Sequence, residues 1–192
     1  MDDSVRRAMA RWPDVPALAG WLRLDRRGRW WIDGGLVERE ALAEFIARNY
    51  LADDKGRYYF QNGPQRVYVS LDYTPWILHA DGRGGLATHT GNPVNGVSAA
   101  FIDEAGDTLL AFDRGVGLLL GDAAEWLASR LCRADGAAAD ADAVDAGIEA
   151  AAAGGESGLC VVLDASAPAP LAGVRRTEVP ARFGFVAEPS AD

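Results

Sequence analysis

The chain has 192 residues, of which 49% are apolar, 9% aromatic and 24% charged. This composition is typical of a soluble globular protein with a buried core. No apolar run approaches the roughly 18 residues that span a bilayer, and the first residues are acidic where a secretory signal is basic. We therefore expect a cytoplasmic protein with no membrane contact.

The formal net charge of −9 is unevenly distributed along the chain. Residues 1–80 hold 12 basic and 11 acidic side chains, whereas residues 81–192 hold 7 basic and 17 acidic ones. Nucleic-acid binding depends on neutralising phosphates, so an acidic chain needs a local basic patch. The four arginines of segment 23–29 offer one, but Asp25 dilutes it. Nucleic acid is therefore not an expected partner.

The first elements predicted along the chain are an arm and a β-hairpin. Residues 1–19 are polar at the start, and their Trp12–Pro16 stretch suggests a short docked segment. Two strand-like runs follow, Trp21–Asp25 and Arg29–Ile32. Gly28 supplies the positive φ that the turn between them requires.

Helical spacing follows the hairpin, where Leu42, Phe45, Ile46 and Tyr50 recur on one face. Acidic residues near the start and Arg48 near the end suit the helix dipole. We predict an amphipathic helix of about three turns that covers the apolar face of the hairpin. Strand-like runs then follow at 57–61, 66–72, 76–80 and 86–90.

The second half repeats the hairpin-then-helix pattern more weakly. Strand-like runs at 99–103 and 108–112 flank a turn with Asp103 and Gly106, the same Asp-x-x-Gly spacing as in the first hairpin. A helix is predicted over 122–133, with its first residue as N-cap.

The segment 134–157 is rich in alanine, aspartate and glycine, and only Val144 and Ile148 hint at a helix. A marginal helix or a mobile connector fits this composition. Strand candidates follow at 159–163 and 181–186.

Together these signals predict an α+β fold with two hairpin-plus-helix repeat units and mainly antiparallel strands. The predicted organisation is, in chain order, an N-terminal arm (1–19), a first α+β unit (20–80), a second hairpin-helix unit (81–133), an Ala/Asp/Gly-rich connector (134–157), and C-terminal strands with an acidic tail (158–192).

One stretch carries a recognisable pattern, from the hairpin turn at Asp25 and Gly28 through a helix and two strands to Asp72, which precedes Pro75 and Trp76. This pattern, over residues of about 21–78, resembles the bacterial family called domain of unknown function 1285. The resemblance implies an α+β fold built from repeated motifs and a role in bacterial signal transduction. It implies no catalytic residues. The chain departs from the family pattern at position 65, which is glutamine where the family usually has an acid.

Residues able to support metal or acid–base chemistry are few. His79 and His89 are the only histidines, and pairing of 76–80 with 86–90 would make them diagonal neighbours on one face. Two histidines without a third ligand form a poor zinc site. Nucleotide-binding, zinc-protease and hydrolase motifs are absent from the sequence. We predict no metal and no cofactor.

The two cysteines are Cys132, on the predicted second helix, and Cys160, in a strand candidate. They lie far apart in the sequence and in no metal-ligand spacing, which excludes a disulfide framework and a zinc ribbon. We predict that both are small buried hydrophobic residues rather than nucleophiles.

The strand 66–72 carries the most suggestive surface. Its valines and leucine face one way, and a polar strip of Arg66, Tyr68, Ser70 and Asp72 faces the other. Aromatic and histidine side chains beyond the Pro75 break would wall such a strip and suit a small molecule or a peptide. The predicted ligand-binding residues are Arg66, Tyr68, Asp72, Trp76 and His79.

Two interpretations of the strip remain open: a ligand groove, or an internal seam where the two units pack together. The leading functional interpretation is a non-catalytic ligand- or partner-binding module. The alternative is a small enzyme with a groove near Asp72 and His79.

Overall fold

The computed structural model describes residues 1–11, 15–162 and 168–191, which divide into two compact units. Unit 1 comprises Met1–Pro75, His89–Gly91 and Pro180–Asp192, and unit 2 comprises Trp76–Thr88 and Asn92–Val179. The predicted docked arm around Trp12 and Pro13 falls largely outside the described residues.

Unit 1 is built around one sheet. Its elements are helix α1 (Asp3–Arg11), strands β1 (Leu18–Leu24), β2 (Trp30–Ile32) and β3 (Gly35–Leu36), helix α2 (Glu40–Arg48), and strands β4 (Tyr50–Ala52), β5 (Tyr58–Asn62) and β6 (Gln65–Leu71). The six strands among the described residues run in the order β3-β2-β1-β6-β5-β4. Only the central β1–β6 pair is parallel.

The predicted first hairpin is present, and hydrogen bonds to Asp25 stabilise its turn. The Gly28 N–H donates to the Asp25 carbonyl at 3.0 Å, and the Asp25 N–H donates to the Arg29 carbonyl at 3.0 Å. Gly28 has φ 78°, a left-handed conformation that costs glycine little. The Asp25 side chain fixes the loop further, because Oδ1 accepts from the N–H groups of Arg27 and Arg29 at 2.8 and 2.9 Å.

The same aspartate turn recurs three more times within the described residues. In each case Oδ1 of the first residue accepts the N–H groups two and four residues later. These turns span 53–57, 81–85 and 103–107, and each has a glycine with positive φ at its fourth position. Asp-x-x-Gly is therefore the sequence motif that forms these hairpin turns.

The core of unit 1 lies between its sheet and helix α2. Ile46 is fully buried, and Phe45 meets Phe60 edge to face, with ring centroids 5.4 Å apart. The predicted helix thus packs as its spacing indicates, although it ends at Arg48. Tyr50, predicted as its last apolar position, begins β4 instead.

Unit 2 contains the second sheet. Its elements are β7 (Trp76–Ala80), β8 (Leu86–Thr88), β9 (Ala99–Asp103), β10 (Thr108–Phe112), β11 (Gly115–Leu119), a 3₁₀ helix (Gly121–Ala123), helix α3 (Ala124–Ala128), β12 (Leu131–Arg133), helix α4 (Ala141–Ala152), β13 (Glu156–Val161), β14 (Ala169–Val174) and a second 3₁₀ helix (Arg176–Glu178). Helix α5 (Val179–Phe183) begins at the last residue of unit 2 and continues in unit 1.

The eight described strands of this sheet run in the order β12-β13-β14-β9-β10-β11-β7-β8. Strands β9 to β11 form an antiparallel meander, and β14 pairs in parallel with β9. Strands β9 to β14 repeat the arrangement of β1 to β6. In each set the first and last strands pair in parallel at the centre. The second and third strands follow outward from the first, and the fifth and fourth from the last. The α+β fold class is confirmed, and most strand pairs are antiparallel.

Several local predictions for the second half are wrong. The helix predicted over 122–133 stops at Ala128, and Leu131–Arg133 is a strand, so Cys132 lies in β12. Asp122 lies inside the 3₁₀ helix and forms no side-chain cap. The strand candidate at 181–186 begins as helix α5, because Pro180 in a first helical turn loses no hydrogen bond.

The alanine-rich segment contributes a helix to unit 2. Asp140 caps α4 by accepting the Ala143 N–H at 2.8 Å. Gly147 lets this helix approach β13 closely, since a Cβ there would lie 2.5 Å from Leu159 Cδ1. The unit boundaries therefore differ from the predicted division at 81–133 and 134–157, because β12, β13 and β14 complete one sheet.

No helix within the described parts of the chain is both long enough and apolar enough to cross a membrane.

Candidate functional site

Unit 1 contains a cavity of about 520 Å³ between the second and third strands and helix α2. One wall comes from Leu36 and Val37, which follow the β2–β3 turn, and the opposite wall from Ala43 and Ala47 of α2. The two alanines are one helical turn apart on the same face. Their small side chains leave open the space that larger residues would fill.

Aromatic rings form the floor of this cavity. Trp30 is 3% exposed and lies with its ring centroid 5.3 Å from that of His89 and 5.2 Å from that of Tyr50. The tilted and edge-to-face angles of 58° and 69° are favourable arrangements for aromatic pairs. Burial, and secondarily Tyr58, raises the pKa of Tyr50 well above 10.0. The phenol therefore stays protonated and donates to the Pro75 carbonyl at 3.0 Å.

Charged side chains form the rim of the cavity: Arg29, Glu40, Glu44 and Arg48. Arg29 Nε donates to Asp25 Oδ2 at 2.8 Å, and Arg48 Nη1 lies 3.4 Å from Glu44 Oε2. Both arginine side chains are about half exposed. The Arg48–Glu44 pair is exposed and contributes little net free energy, so its groups can exchange partners for those of a ligand. Asp25 is buried, so Arg29 keeps this partner and offers a ligand only its remaining guanidinium N–H groups.

This arrangement suits binding. An aromatic floor and alanine walls take the flat apolar part of a molecule, while the mixed rim offers both guanidinium and carboxylate groups to its polar substituents. The volume of about 520 Å³ lies within the range of ligand pockets.

The predicted strip on β6 is less open than its alternation indicates. Arg66 is exposed and Asp72 is largely exposed, but Tyr68 is only 2% exposed. The Arg57 guanidinium lies 4.3 Å from the centre of the Tyr68 ring, and the Tyr68 hydroxyl donates to Asp53 at 3.2 Å. The prediction that the Tyr68 side chain lies on the solvent-facing side of β6 is therefore wrong, because the Asp53–Arg57 turn covers it.

Asp72, the proposed acid of the enzyme alternative, is engaged by an arginine. Arg23 Nη1 donates to its Oδ2 at 2.5 Å. Trp76 and His79 belong to unit 2, whereas Arg66, Tyr68 and Asp72 belong to unit 1.

The two histidines are not diagonal neighbours in one hairpin. His79 pairs with Ala87, and its Nδ1 lies 3.1 Å from the Ala80 carbonyl oxygen. Strand β8 ends at Thr88, so His89 lies outside the hairpin and belongs to unit 1. Among the described residues, no group of three or more histidine, cysteine or acidic side chains is arranged to hold a metal ion.

Both cysteines are buried free thiols, as predicted. They lie directly opposite each other on β12 and β13, a proximity that their distance in sequence conceals. Burial, and then the neighbouring Cys132, raises the pKa of the Cys160 thiol, which disfavours the nucleophilic thiolate.

The strip residues lead to a stability prediction. Arg66→Ala and Asp72→Ala should each lower the free energy of unfolding by less than about 1 kcal/mol, because Arg66 is exposed and the side chains of the Arg23–Asp72 pair are 39% and 31% exposed, so that water screens the pair. Tyr68→Ala should cost about 3 kcal/mol because it removes a buried ring. Urea unfolding of the three variants measures this order. A cost of 2 kcal/mol or more for Arg66→Ala would instead indicate a buried seam.

A second prediction concerns acid. Burial acts to raise the pKa of Asp53, but hydrogen bonds from Arg57 and Lys55 and the Arg57 charge outweigh it and hold the pKa below 3.8. A carboxyl with a lowered folded-state pKa stabilises the fold above its ordinary pKa, and this contribution is lost as the pH falls below about 4. Asp53→Asn should therefore flatten the loss of unfolding free energy between about pH 4 and pH 2.

Urea unfolding at successive pH values tests this prediction. Asp54→Asn is the matched control, because it removes a neighbouring carboxylate from the same turn and leaves the hydrogen bonds of Asp53 in place. Equal slopes for both variants would contradict the assignment.

The cavity residues were not among those that the sequence singles out for binding. Trp30 is indistinguishable from a core residue of the hairpin, and His89 comes from a segment remote in sequence. The available signal was Ala43 and Ala47 at helical spacing on the α2 face that also carries Glu40 and Glu44.

Comparisons with known proteins agree with the fold. The chain is similar to the crystal structure of a DUF1285 family protein from Silicibacter pomeroyi DSS-3, with a TM-score of 0.51 and 16% identity, over 82% of each chain. It also matches a DUF1285 family protein from Shewanella baltica OS155, with a TM-score of 0.41 and 16% identity, over 58% of this chain and 89% of that one. The first likeness confirms the predicted resemblance at the level of the fold.

No curated protein matches the sequence. A family model described as "Protein of unknown function (DUF2946)" matches residues 1–190. Since this match spans nearly the whole chain, the protein belongs to that family of unknown function, designated DUF2944.

Proposed function

We propose that this protein is a non-catalytic binding module that takes a small molecule in the cavity of unit 1. The observation that carries the proposal is the open cavity of about 520 Å³ with an aromatic floor, alanine walls and a charged rim. Ligand sites in proteins are clefts of this size, with a mainly apolar or aromatic lining and a few polar groups that fix the orientation of the ligand.

The lining indicates the chemistry of the ligand. A flat apolar body fits against Trp30 and His89, between the aliphatic wall at Leu36 and the alanines of α2. Polar substituents reach the exposed groups of Arg29 and Arg48 or the rim glutamates. The ligand class is therefore a small aromatic or heteroaromatic molecule with charged substituents.

The proposal includes a cytoplasmic setting and a role in signal transduction, in which binding in the cavity regulates a further partner. In this setting Cys132 and Cys160, which lie opposite each other on neighbouring strands, stay reduced. The shared strand order of β1–β6 and β9–β14 supports a structural repeat, with the Asp25 and Asp103 turns in equivalent hairpins.

A thermal-shift screen against metabolites and nucleotides tests the proposal, because a ligand that binds the folded state raises its apparent stability by mass action. We expect a small set of hits, each raising the melting temperature by several degrees at a concentration far above its dissociation constant. The hits should share a flat ring system.

Variants locate the site. Ala43→Phe places a large ring in the cavity and should abolish the shifts, whereas Ala41→Phe adds the same ring at an exposed α2 position outside the cavity lining and should keep them. Hits that shift both variants equally would refute the cavity as the site. Turnover of a hit would refute the non-catalytic assignment.

A further inference from the structure

A second cavity, of about 450 Å³, lies within unit 2, between one face of its sheet and helices α3 and α4. Ile102 of β9 and Thr108 of β10 are directly opposite each other in the sheet, and both line the cavity. Leu119 of β11 and Leu171 of β14 extend the lining on either side of this pair. Ile102, Leu119 and Leu171 are 3%, 8% and 3% exposed, so the sheet side of the cavity is recessed from the protein surface.

Close backbone contacts set the distance of helix α4 from the sheet beside this cavity. A Cβ on Gly147 would lie 2.5 Å from Leu159 Cδ1, and a Cβ on Gly173 would lie 2.3 Å from the Ala151 carbonyl oxygen. The helix therefore already approaches β13 and β14 as closely as glycine allows. It cannot come nearer to the sheet to reduce the space beside it.

The side chains that α3 and α4 contribute leave apolar area uncovered. Val144 and Ile148 lie about one helical turn apart on α4, line the cavity and are only half-buried. Ala124 and Ala128 of α3 also line it, and both are exposed, with side chains too short to reach across the space. Removing this remaining apolar area from water is favourable, and an apolar molecule in the cavity would do so.

The charge in the lining is already paired. Among the described residues that line the cavity, Asp107 is the only charged one. Its carboxylate forms an ion pair with Arg176, which is also paired with Asp103 at 3.1 Å. Arg130 lies outside the lining, and its Nη2 donates to the Gly84 carbonyl at 2.8 Å. A charged ligand would therefore lose hydration in this cavity without gaining a partner of opposite charge.

A small molecule suits this cavity better than a protein partner does. Protein partners dock on apolar side chains that are themselves exposed. Among the described residues, the large apolar side chains that are exposed all belong to unit 1: Met1, Trp21, Ile32 and Leu36. The apolar area at the cavity of unit 2 is recessed between the helices and the sheet, where a small molecule reaches it and a flat protein surface does not.

We propose that this second cavity binds an uncharged, predominantly apolar molecule of roughly ten to twenty non-hydrogen atoms. Its hydrocarbon body lies against Ile102 and Leu171 of the sheet and beside Val144 and Ile148 of α4, and a single hydroxyl or carbonyl group lies at the opening. The site shares no lining residue with the cavity of unit 1 and takes a ligand of different chemistry, without charged substituents.

Three linear probes of equal chain length test the proposal: nonan-1-ol, nonanoate and nonylammonium. Each is titrated near neutral pH into the full chain labelled with ¹³C at the isoleucine, leucine and valine methyl groups. We expect the alcohol to shift the methyl signals of Ile102, Val144, Ile148 and Leu171 saturably, and both ions to bind at least about tenfold more weakly. Alcohol shifts confined to other methyl groups, no saturable shift up to the solubility limit of the alcohol, or binding of either ion as tight as that of the alcohol would overturn the proposal.

Variants assign the binding to this cavity. Ala128→Phe should weaken the binding of nonan-1-ol at least about tenfold, because the ring occupies the opening. Ala146→Phe adds the same ring at an exposed α4 position outside the lining, and Ala43→Phe fills the cavity of unit 1, so both should leave alcohol binding unchanged. Alcohol binding that Ala128→Phe leaves unaffected in a folded variant would overturn the proposal. Sedimentation of the unliganded protein as a dimer that Ala128→Phe dissociates would overturn it in favour of a second copy of the chain.

Discussion

Asp103→Ala is expected to lower the free energy of unfolding by about 3 kcal/mol. Asp103 is fully buried, and its Oδ1 accepts from the Ala105 and Asp107 N–H groups, both at 2.9 Å. Its Oδ2 accepts from Arg176 Nε and Nη2 at 3.2 and 3.1 Å. Removal of the carboxylate leaves these donors without their acceptor. Urea unfolding followed by circular dichroism measures the loss.

Asp81→Ala provides a matched control for this prediction. Asp81 accepts the same two backbone bonds in the same type of turn, at 2.7 and 2.9 Å, but it is exposed, and water can replace it. The control should have a much smaller effect, and Asp103→Asn should lie between the two because it keeps the turn acceptor and loses the charge. Equal effects of the two alanine substitutions would show that the buried arginine contact contributes nothing.

Gly56→Ala should cost about 3–4 kcal/mol, from two causes acting together. Gly56 has φ 73°, which disfavours any side chain. A Cβ at this position would also overlap the backbone carbonyl of Gly184. Two residues further along, the Val186 N–H donates to the Gly56 carbonyl at 3.0 Å, so the C-terminal segment is held against this turn. The C-terminal segment must therefore move away from the turn.

Gly106→Ala separates the two causes. Gly106 occupies the same turn position with φ 82°, and nothing lies within 4 Å of the Cβ it would gain. Its cost should be about 1 kcal/mol, the conformational part alone. Thermal and urea unfolding of both variants measure the two losses of unfolding free energy. Equal losses would mean that the segment at Gly184 can move away from the added Cβ at no cost in free energy.

The sequence predicts local structure best where one residue type has one physical reason to be present. The Asp-x-x-Gly turns are of this kind, because aspartate supplies the acceptor and glycine the positive φ. The α2 helix and the β6 strand follow from their hydrophobic period. These elements establish the α+β class and the resemblance to DUF1285 proteins.

Local sequence patterns fail to predict secondary structure where contacts with distant parts of the chain determine it. No strand is predicted over 115–119, yet Gly115 and Gly117 lie in β11, where a Cβ on Gly117 would come within 2.6 Å of Leu78 Cγ. Leu131–Arg133 continues a helical pattern but pairs with β13. Pairing partners remote in sequence decide such segments.

The candidate site could not be predicted from the sequence because it also depends on residues that are distant in the chain. Alternation along β6 indicates which face is polar, but the burial of Tyr68 depends on a turn in another hairpin. The cavity of unit 1 arises from what α2 lacks, large side chains at positions 43 and 47, beside a tryptophan and a histidine far apart in sequence. Empty space leaves only a weak signal in a sequence.

The most direct test of the binding-module account is an amide NMR titration of the ¹⁵N-labelled protein with mixtures of flat heteroaromatic fragments. The account predicts that shift changes concentrate on the Trp30 indole N–H, on Arg29, and on the backbone amides of Ala43, Ala47 and His89. Saturable changes confined to Arg66, Ser70 and Asp72, or no saturable change anywhere in unit 1, would contradict it.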